Sequence, residues 1–370
     1  MRRMPPFDFD RAPFLVIWEA TRACALACVH CRADAIARRD PRELSTDEGF
    51  RLIDQIAAFS DPPPLFVLTG GDPMRRPDLP ILIRYAVERN MVVALTPSGT
   101  AAATRARLAE LKDAGLSRIA VSLDGPDAAT HDAFRGVRGS YDWTMKIINA
   151  AESLELPLQI NTTVSRLTLP SLEGVAQRIK DFTVALWAVF FLVRTGRGAS
   201  LEQVSPDQCE RVLTWLYNLS LAAPFGIKTT EAPHFQRVIR QREQELGTDR
   251  VAFSEHRRAL IRAPRSVGDG NGFVFVDHRG EICPSGFLPV SRGNVKTGDL
   301  ATVYRDDEVF RRLRDPEALM GKCGRCEFRA VCGGSRSRAY AATGSLVASD
   351  SLCAYDPGPV KRPAISPCPL

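Results

Sequence analysis

No stretch of this 370-residue chain is apolar for long enough to cross a bilayer. The longest apolar run, Val184 to Val193, is about half of the ~20 residues a spanning helix needs. The amino terminus, Met1-Arg-Arg-Met-Pro-Pro-Phe-Asp-Phe-Asp10, lacks the continuous apolar core of a signal peptide. Together these absences argue against a membrane protein and for a soluble one in the cytoplasm. Basic tracts interleaved with aromatics are also missing. The net charge of +6, carried mostly by arginine, therefore makes no case for a nucleic-acid partner. It fits an anionic ligand, or simply a leaning of the whole composition toward arginine and alanine. Ten cysteines are too sparse for a disulfide scaffold at this length, and their clustering argues for metal in a reducing compartment. Internal repeats are absent. What remains is an ordinary globular composition, 45% apolar and 25% charged, in a chain long enough for one large α/β domain and a smaller appendage.

From about residue 14 to 230, short β-rich runs alternate with helical patterns, the signature of βα units around a parallel sheet. The expected strands are Phe14–Trp18, Leu65–Thr69, Met91–Thr96, Arg118–Leu123, Leu158–Val164 and Ala185–Val193. Helices are expected between them, the first opening on a capping box of Ser45 and Glu48. Six strands are too few for a closed eight-fold barrel. The fold class is therefore α/β, a partial (β/α)6 barrel with its site at the carboxyl ends of the strands and a small C-terminal domain. The boundaries read as an N-terminal arm over 1–13, the barrel over 14–230 and a helical linker over 231–266. A cysteine-bearing domain over 267–356 opens on a hairpin with its turn at Asp277-His-Arg-Gly280, and a proline-rich tail covers 357–370.

Cys24, Cys28 and Cys31 fall on the loop after the first expected strand. Three thiolates at this spacing can hold three corners of a cubane iron–sulfur cluster and leave the fourth iron open to an external ligand. A zinc site usually wants four protein ligands, and a disulfide wants an oxidising compartment. A second group, Cys323, Cys326, Cys332 and Cys353, makes a complete set of four. Spacing alone allows zinc or an iron–sulfur cluster there. Cys209, Cys283 and Cys368 are read as non-ligands, small buried hydrophobes.

The first loop resembles that of the radical S-adenosylmethionine (radical SAM) superfamily, in which the open iron binds the amino and carboxyl groups of S-adenosylmethionine. One βα unit later, Thr69-Gly-Gly-Asp-Pro73 is similar to the family's Gly-Gly-Glu-Pro element, with Asp72 in place of glutamate. The resemblance implies that Gly70, Gly71, Asp72 and Pro73 receive the methionine amino group, the glycines letting the backbone approach the ligand. It makes Ser98, Ser122, Asp124 and Asn161, at or near later strand ends, candidates for contacting the ribose and methionine carboxylate. His30 takes the place of a planar residue near the cluster, or simply packs on the loop. The chemistry implied is one-electron cleavage of S-adenosylmethionine to methionine and a 5′-deoxyadenosyl radical, which abstracts hydrogen from substrate. An electron donor such as flavodoxin or ferredoxin would be the partner.

The second group resembles the C-terminal extension called the SPASM domain, which binds two auxiliary clusters. Where that pattern has cysteines this chain has Ser285 and Arg336, and the cysteine before the hairpin is absent. Every ligand special to one auxiliary cluster is missing, which implies a reduced, twitch-like domain and two 4Fe–4S clusters in all. Phe191-Leu-Val-Arg-Thr-Gly-Arg-Gly198 and Cys332-Gly-Gly-Ser-Arg-Ser-Arg-Ala-Tyr340 look like a subgroup that decarboxylates or otherwise remodels tetrapyrrole propionates in alternative haem synthesis. On that resemblance Arg194, Arg197, Arg336 and Arg338 would pair with propionates, and His234 would ligate a haem iron or donate a proton. One alternative is a peptide maturase, disfavoured because only about a dozen residues precede the first strand, too few for a recognition domain. Another is a non-catalytic iron–sulfur electron carrier, which has no need of an open iron. The expected substrate is a small molecule or a peptide, with neither nucleic acid nor membrane as partner.

Overall fold

In the computed structural model, which describes residues 8–246 and 267–358, the chain builds one nine-stranded sheet. Strand alternation sets its two sides. In β1 (Leu15–Thr21), Val16, Trp18 and Ala20 are buried and share one core with Leu52, Ile53 and Ile56 of α1 (Thr46–Ala57). The capping box that starts α1 is present: Ser45 Oγ accepts the Glu48 N–H at 3.2 Å, and the Ser45 N–H donates to Glu48 Oε2 at 2.8 Å.

β2 (Leu65–Gly70), β3 (Val93–Leu95), β4 (Arg118–Ser122), β5 (Leu158–Val164) and β6 (Val184–Phe191) follow as parallel neighbours. Between them run α2 (Leu79–Val87), α3 (Arg105–Asp113), α4 (Ala128–Arg135), α5 (Ser140–Ser153) and α6 (Leu172–Ile179). After β6 come α7 (Pro206–Ser220), β7 (Gly226–Thr230) and α8 (His234–Leu246). Across the sheet the order is β7-β6-β5-β4-β3-β2-β1, followed by β8 (Phe273–Val276) and β9 (Ile282–Cys283). Strand order that tracks chain order is what successive right-handed βα crossovers produce. The sheet remains open, a partial barrel as expected.

Three elements differ from the sequence reading. β7 adds a seventh parallel strand beside β6; only Ile227 of its five residues is buried, so no apolar run announces it. α4 is a helix that the sequence did not single out; Asp127 caps it by accepting the Thr130 N–H, and Gly136 (φ +68°) ends it. The hairpin expected to open a separate domain joins the barrel's own sheet. β8 pairs parallel with β1, Leu15 opposite Phe273, and β9 returns antiparallel around Gly280 (φ +92°). The Tyr304 hydroxyl donates to Phe9 O at 2.6 Å and accepts the Gly272 N–H at 3.1 Å, stitching the two ends of the chain together. Of the expected linker, α8 covers the first part; residues 247–266, and Cys368 in the tail, lie outside the described residues. Among the described residues no helix is long and apolar enough to cross a membrane.

Candidate functional site

The loop that leaves β1 brings Cys24, Cys28 and Cys31 together in one small cluster with Leu26. Cys24 and Cys28 are buried and Cys31 half-buried. The loop is gripped from several sides. The Val29 N–H donates to Phe134 O at 3.1 Å, and His30 stacks on the Phe134 ring at 4.1 Å. From the far end of the sheet, the Arg197 N–H reaches Cys31 O at 2.9 Å, while its guanidinium donates to Cys28 O at 3.0 Å and Ala35 O at 3.1 Å. Gly196 (φ +54°) permits that approach, because a Cβ there would lie 2.5 Å from Cys31 O. Arg32 turns back to Glu19 at 2.8 Å, and Glu19 meets His278 Nδ1 at 3.1 Å, so the loop is also tied to the β8–β9 hairpin.

The turn after β2 lies against this loop. The Gly71 N–H donates to Thr21 O and the Asp72 N–H to Ala23 O, both at 2.7 Å. A Cβ on Gly71 would sit 2.5 Å from Arg22 O. The glycine is therefore required by the chain's own backbone where β1 ends, and not only by a ligand. Asp72 is fully buried: Oδ2 accepts the Thr100 hydroxyl at 2.7 Å, and Oδ1 accepts the Met74 N–H at 3.2 Å and the Ser98 N–H at 3.4 Å. Burial raises its pKa. Ser98 Oγ donates to Gly71 O at 2.7 Å and stands 3.5 Å from Cys24 Sγ. Pro73 begins a short 3-10 turn ending at Arg75.

Asp124, at the end of β4, is also fully buried; its Oδ1 accepts the Thr163 N–H at 2.7 Å and its Oδ2 pairs with Arg135 of α4. Arg135 Nη1 in turn lies 3.9 Å from Cys28 Sγ. Burial pushes the Cys24 and Cys28 thiols above their ordinary value, and at Cys28 the Arg135 charge opposes it. Ser122 stands opposite Asn161 in the β4–β5 register, and Asn161 Oδ1 accepts from Gln159 Nε2 at 2.7 Å. Arg135 escapes a sequence reading because α4 itself does. A cationic residue closing a helix just after a strand-end aspartate is the signal that could have found it.

Cys323, Cys326, Cys332 and Cys353 line one recess, partly open to solvent, together with His234 and Arg237. Among the described residues no three His, Cys, Asp or Glu converge on one point as ligands of a single ion. Four thiols lining one recess could hold a zinc ion or an iron–sulfur cluster. Arg237, anchored by Glu210 at 3.0 Å, lowers the burial-raised pKa of Cys353 and Cys332. Cys209 and Cys283 stay apart, buried, with thiols pushed up to about 12 by that burial.

The arginines and histidine expected at a propionate site are largely engaged elsewhere. Arg336 is buried and donates to Gly334 O at 3.2 Å, Leu346 O at 3.1 Å, Ala348 O at 2.7 Å and Cys323 Sγ at 3.7 Å. Arg338, also buried, pairs with Asp350 at 2.9 Å and bonds Glu231 O. Arg197 clamps the cysteine loop. Arg194 is exposed and donates to Ala199 O at 2.9 Å. His234 is enclosed beside the four-thiol recess, Nε2 3.3 Å from Asp350. Of these five, only Arg194 keeps an exposed side chain for an outside ligand; side-chain partners, invisible in sequence, decide the rest.

His131 offers a pH test. Its Nδ1 accepts the Asp124 N–H at 3.1 Å, and burial, aided by Arg135, lowers its pKa to about 4. Unfolded, it takes a proton near 6.5. Below pH 6.5 the unfolded chain therefore binds the extra proton, and stability present above that pH is lost as pH falls toward 4. Between pH 7 and 5 the loss is about 2 kcal/mol. Urea midpoints of His131→Gln should show a correspondingly shallower pH dependence; parallel curves for both proteins would overturn the assignment.

A model of the Radical SAM superfamily matches residues 18–178. The chain is 39% identical to the AdoMet-dependent heme synthase of Methanosarcina barkeri (strain Fusaro / DSM 804), over 94% of this chain and 98% of that one. It is 39% identical to the AdoMet-dependent heme synthase of Oleidesulfovibrio alaskensis (strain ATCC BAA-1058 / DSM 17464 / G20), over 96% and 90%. In fold it is similar to Streptococcus suis SuiB bound to S-adenosylmethionine, with a TM-score of 0.71 at 16% identity, over 93% of this chain and 78% of that one.

Proposed function

The chain belongs to the radical SAM superfamily, and from that premise we propose that it remodels the propionate side chains of a tetrapyrrole in haem synthesis. An identity of 39% to AdoMet-dependent heme synthases over nearly the whole length carries this reading. As a member of the superfamily it is an enzyme that uses S-adenosylmethionine and a 4Fe–4S cluster. Cys24, Cys28 and Cys31 are the residues that would hold the cluster. When bound, it supplies one electron to S-adenosylmethionine, giving methionine and a 5′-deoxyadenosyl radical that takes hydrogen from an unactivated carbon.

The chain's own part is placement and charge. Arg135, oriented by Asp124, sets a buried cation against the Cys28 sulfur and offsets the negative charge that three thiolates bring. Gly71 and Ser98 keep the turn after β2 close to Cys24. Asp72 supports that turn from inside, since its carboxylate is already filled by Thr100, Met74 and Ser98. Ser122 and Asn161 put two polar side chains in one row for the ribose or methionine carboxylate. Cys323, Cys326, Cys332 and Cys353 would hold a second, fully ligated 4Fe–4S cluster suited to electron transfer with the substrate. A flavodoxin or ferredoxin in the cytoplasm is the electron donor this chemistry calls for.

Anaerobically reconstituted protein, given iron coproporphyrin III, S-adenosylmethionine and a reductant, should release carbon dioxide together with 5′-deoxyadenosine. Deoxyadenosine with no change in the porphyrin would sink the tetrapyrrole reading. Cys326→Ala should cut porphyrin turnover at least ~10-fold and leave uncoupled cleavage of S-adenosylmethionine within about two-fold of wild type. Equal loss of both, with circular dichroism unchanged, would remove the division of labour between the two cysteine sets.

A further inference from the structure

The segment that follows the three cysteines folds back over them. Ile36 bridges to Ala23: the Cys24 N–H donates to Ile36 O at 2.8 Å, and the Ile36 N–H donates to Arg22 O at 3.0 Å. Arg22 Nη2 fixes Asp34 O at 2.6 Å and Arg197 fixes Ala35 O at 3.1 Å. In this setting Ile36 is 40% exposed although its backbone touches that of Cys24. An apolar side chain on the surface is unremarked when solitary, but this one has charged company.

Charge in the segment is sorted by depth. Asp40 and Glu43 keep only 7% and 1% of their side chains exposed, while the arginines paired with them, Arg42 and Arg39, keep 65% and 38%. Arg279, also on Asp40, keeps 37%. Arg38 is exposed, and Asp34 is the one acid of residues 32–43 left exposed with it. Asp40 and Glu43 face inward and their guanidinium partners outward, so each pair turns its positive end to solvent, and the exposed Arg38 adds to it. The buried carboxylates hold the arginines in place and reduce their field to that of outward-pointing dipoles, so a partner that approaches closely meets the guanidiniums first.

We propose that this face, with Ile36 as its apolar contact and Arg38, Arg39, Arg42 and Arg279 as its cations, docks an acidic one-electron carrier protein that reduces the cluster of Cys24, Cys28 and Cys31. The proposal rests on the reading of those three cysteines given above. Arginines suit an acidic partner because they pair with carboxylates and steer encounter at low salt. One electron leaves the carrier's reduced cofactor and enters the cluster; the carrier is oxidised by one electron and no bond is made or broken. From Ile36 the route inward crosses a single hydrogen bond to Cys24.

The test uses reconstituted protein and an acidic flavodoxin, with binding measured by calorimetry at 20 and at 200 mM salt. Arg38→Glu should weaken binding at least ~5-fold at low salt, and the difference should close at high salt. Ile36→Ser should weaken it at both salts. Arg178→Glu, on α6 between β5 and β6, at least four strands along the sheet from β1, should stay within about two-fold of wild type. Cleavage of S-adenosylmethionine driven by dithionite should be unchanged in Arg38→Glu, while flavodoxin-driven cleavage falls with the affinity. Equal weakening by Arg38→Glu and Arg178→Glu would reduce the effect to net charge, and wild-type binding in both Arg38→Glu and Ile36→Ser would move docking elsewhere. Either result overturns the proposal without touching the tetrapyrrole reading, because no porphyrin is present. Loss of dithionite-driven cleavage in wild type would instead fault the cluster assignment.

Discussion

Replacing Cys28 with alanine is expected to lower iron in the reconstituted protein from about eight atoms per chain to about four, and to abolish reductive cleavage of S-adenosylmethionine. The expectation follows from how the two cysteine sets are built. Cys24, Cys28 and Cys31 share one loop and are all three needed if one corner is to stay open; removing one leaves two, too few to hold a cubane against loss. The other four thiols line a separate recess and share no residue with that loop. Arg135 sharpens the argument, for in Cys28→Ala its Nη1 loses the sulfur it faces at 3.9 Å while keeping Asp124. The bonds that shape the loop, from the Val29 N–H to Phe134 O and from the Arg197 guanidinium to Cys28 O, involve no thiol, so the fold should survive. Iron and sulfide analysis with circular dichroism decides it. Eight irons retained with cleavage intact would dismiss the first three cysteines as ligands.

Asp350→Ala should destabilise the protein by about 3–5 kcal/mol. Asp350 is fully enclosed and accepts Arg338 Nε at 2.9 Å, the Leu352 N–H at 3.0 Å and the Ser335 N–H at 2.7 Å. Burial alone would raise its pKa; the Arg338 charge and His234 outweigh that and hold it down to about 2. Truncation strands a buried guanidinium that also reaches Glu231 O, just beyond the end of β7. Arg338→Met combined with Asp350→Leu removes both charges and should recover part of the loss, since an apolar pair of similar volume avoids desolvation. Urea unfolding of the cluster-free chain measures all three. A single-variant loss under about 1 kcal/mol would mean that water reaches the pair after all.

The barrel was largely legible because it rests on local patterns: apolar runs for β1 to β6, a capping box for α1, and three cysteines close enough in sequence to share a loop whatever the fold. β7 was not, since an edge strand needs to bury only Ile227 and therefore carries no run. The glycines of the turn after β2 were legible as a need for close approach, but what they approach is the backbone of Thr21 to Ala23 as well as any ligand. Arg336 and Arg338 show the limit most plainly. Residue type marked them as anion binders, while Leu346 O, Ala348 O and Asp350, known only from the folded chain, already occupy them. Arg135 is the converse case, important through a partner in a loop far back along the chain.

The pairing of β8 with β1 sets a condition on biosynthesis. Leu15 emerges from the ribosome 258 residues before its partner Phe273. At about 5–20 residues per second, the outer edge of β1 stays bare for on the order of ten seconds or more. During that interval the strand offers unpaired N–H and C=O groups to any neighbouring chain, directly beside the loop of Cys24, Cys28 and Cys31. Slow translation lengthens that exposure in proportion. A holdase engaging the nascent amino-terminal half would protect strand and thiols in one act.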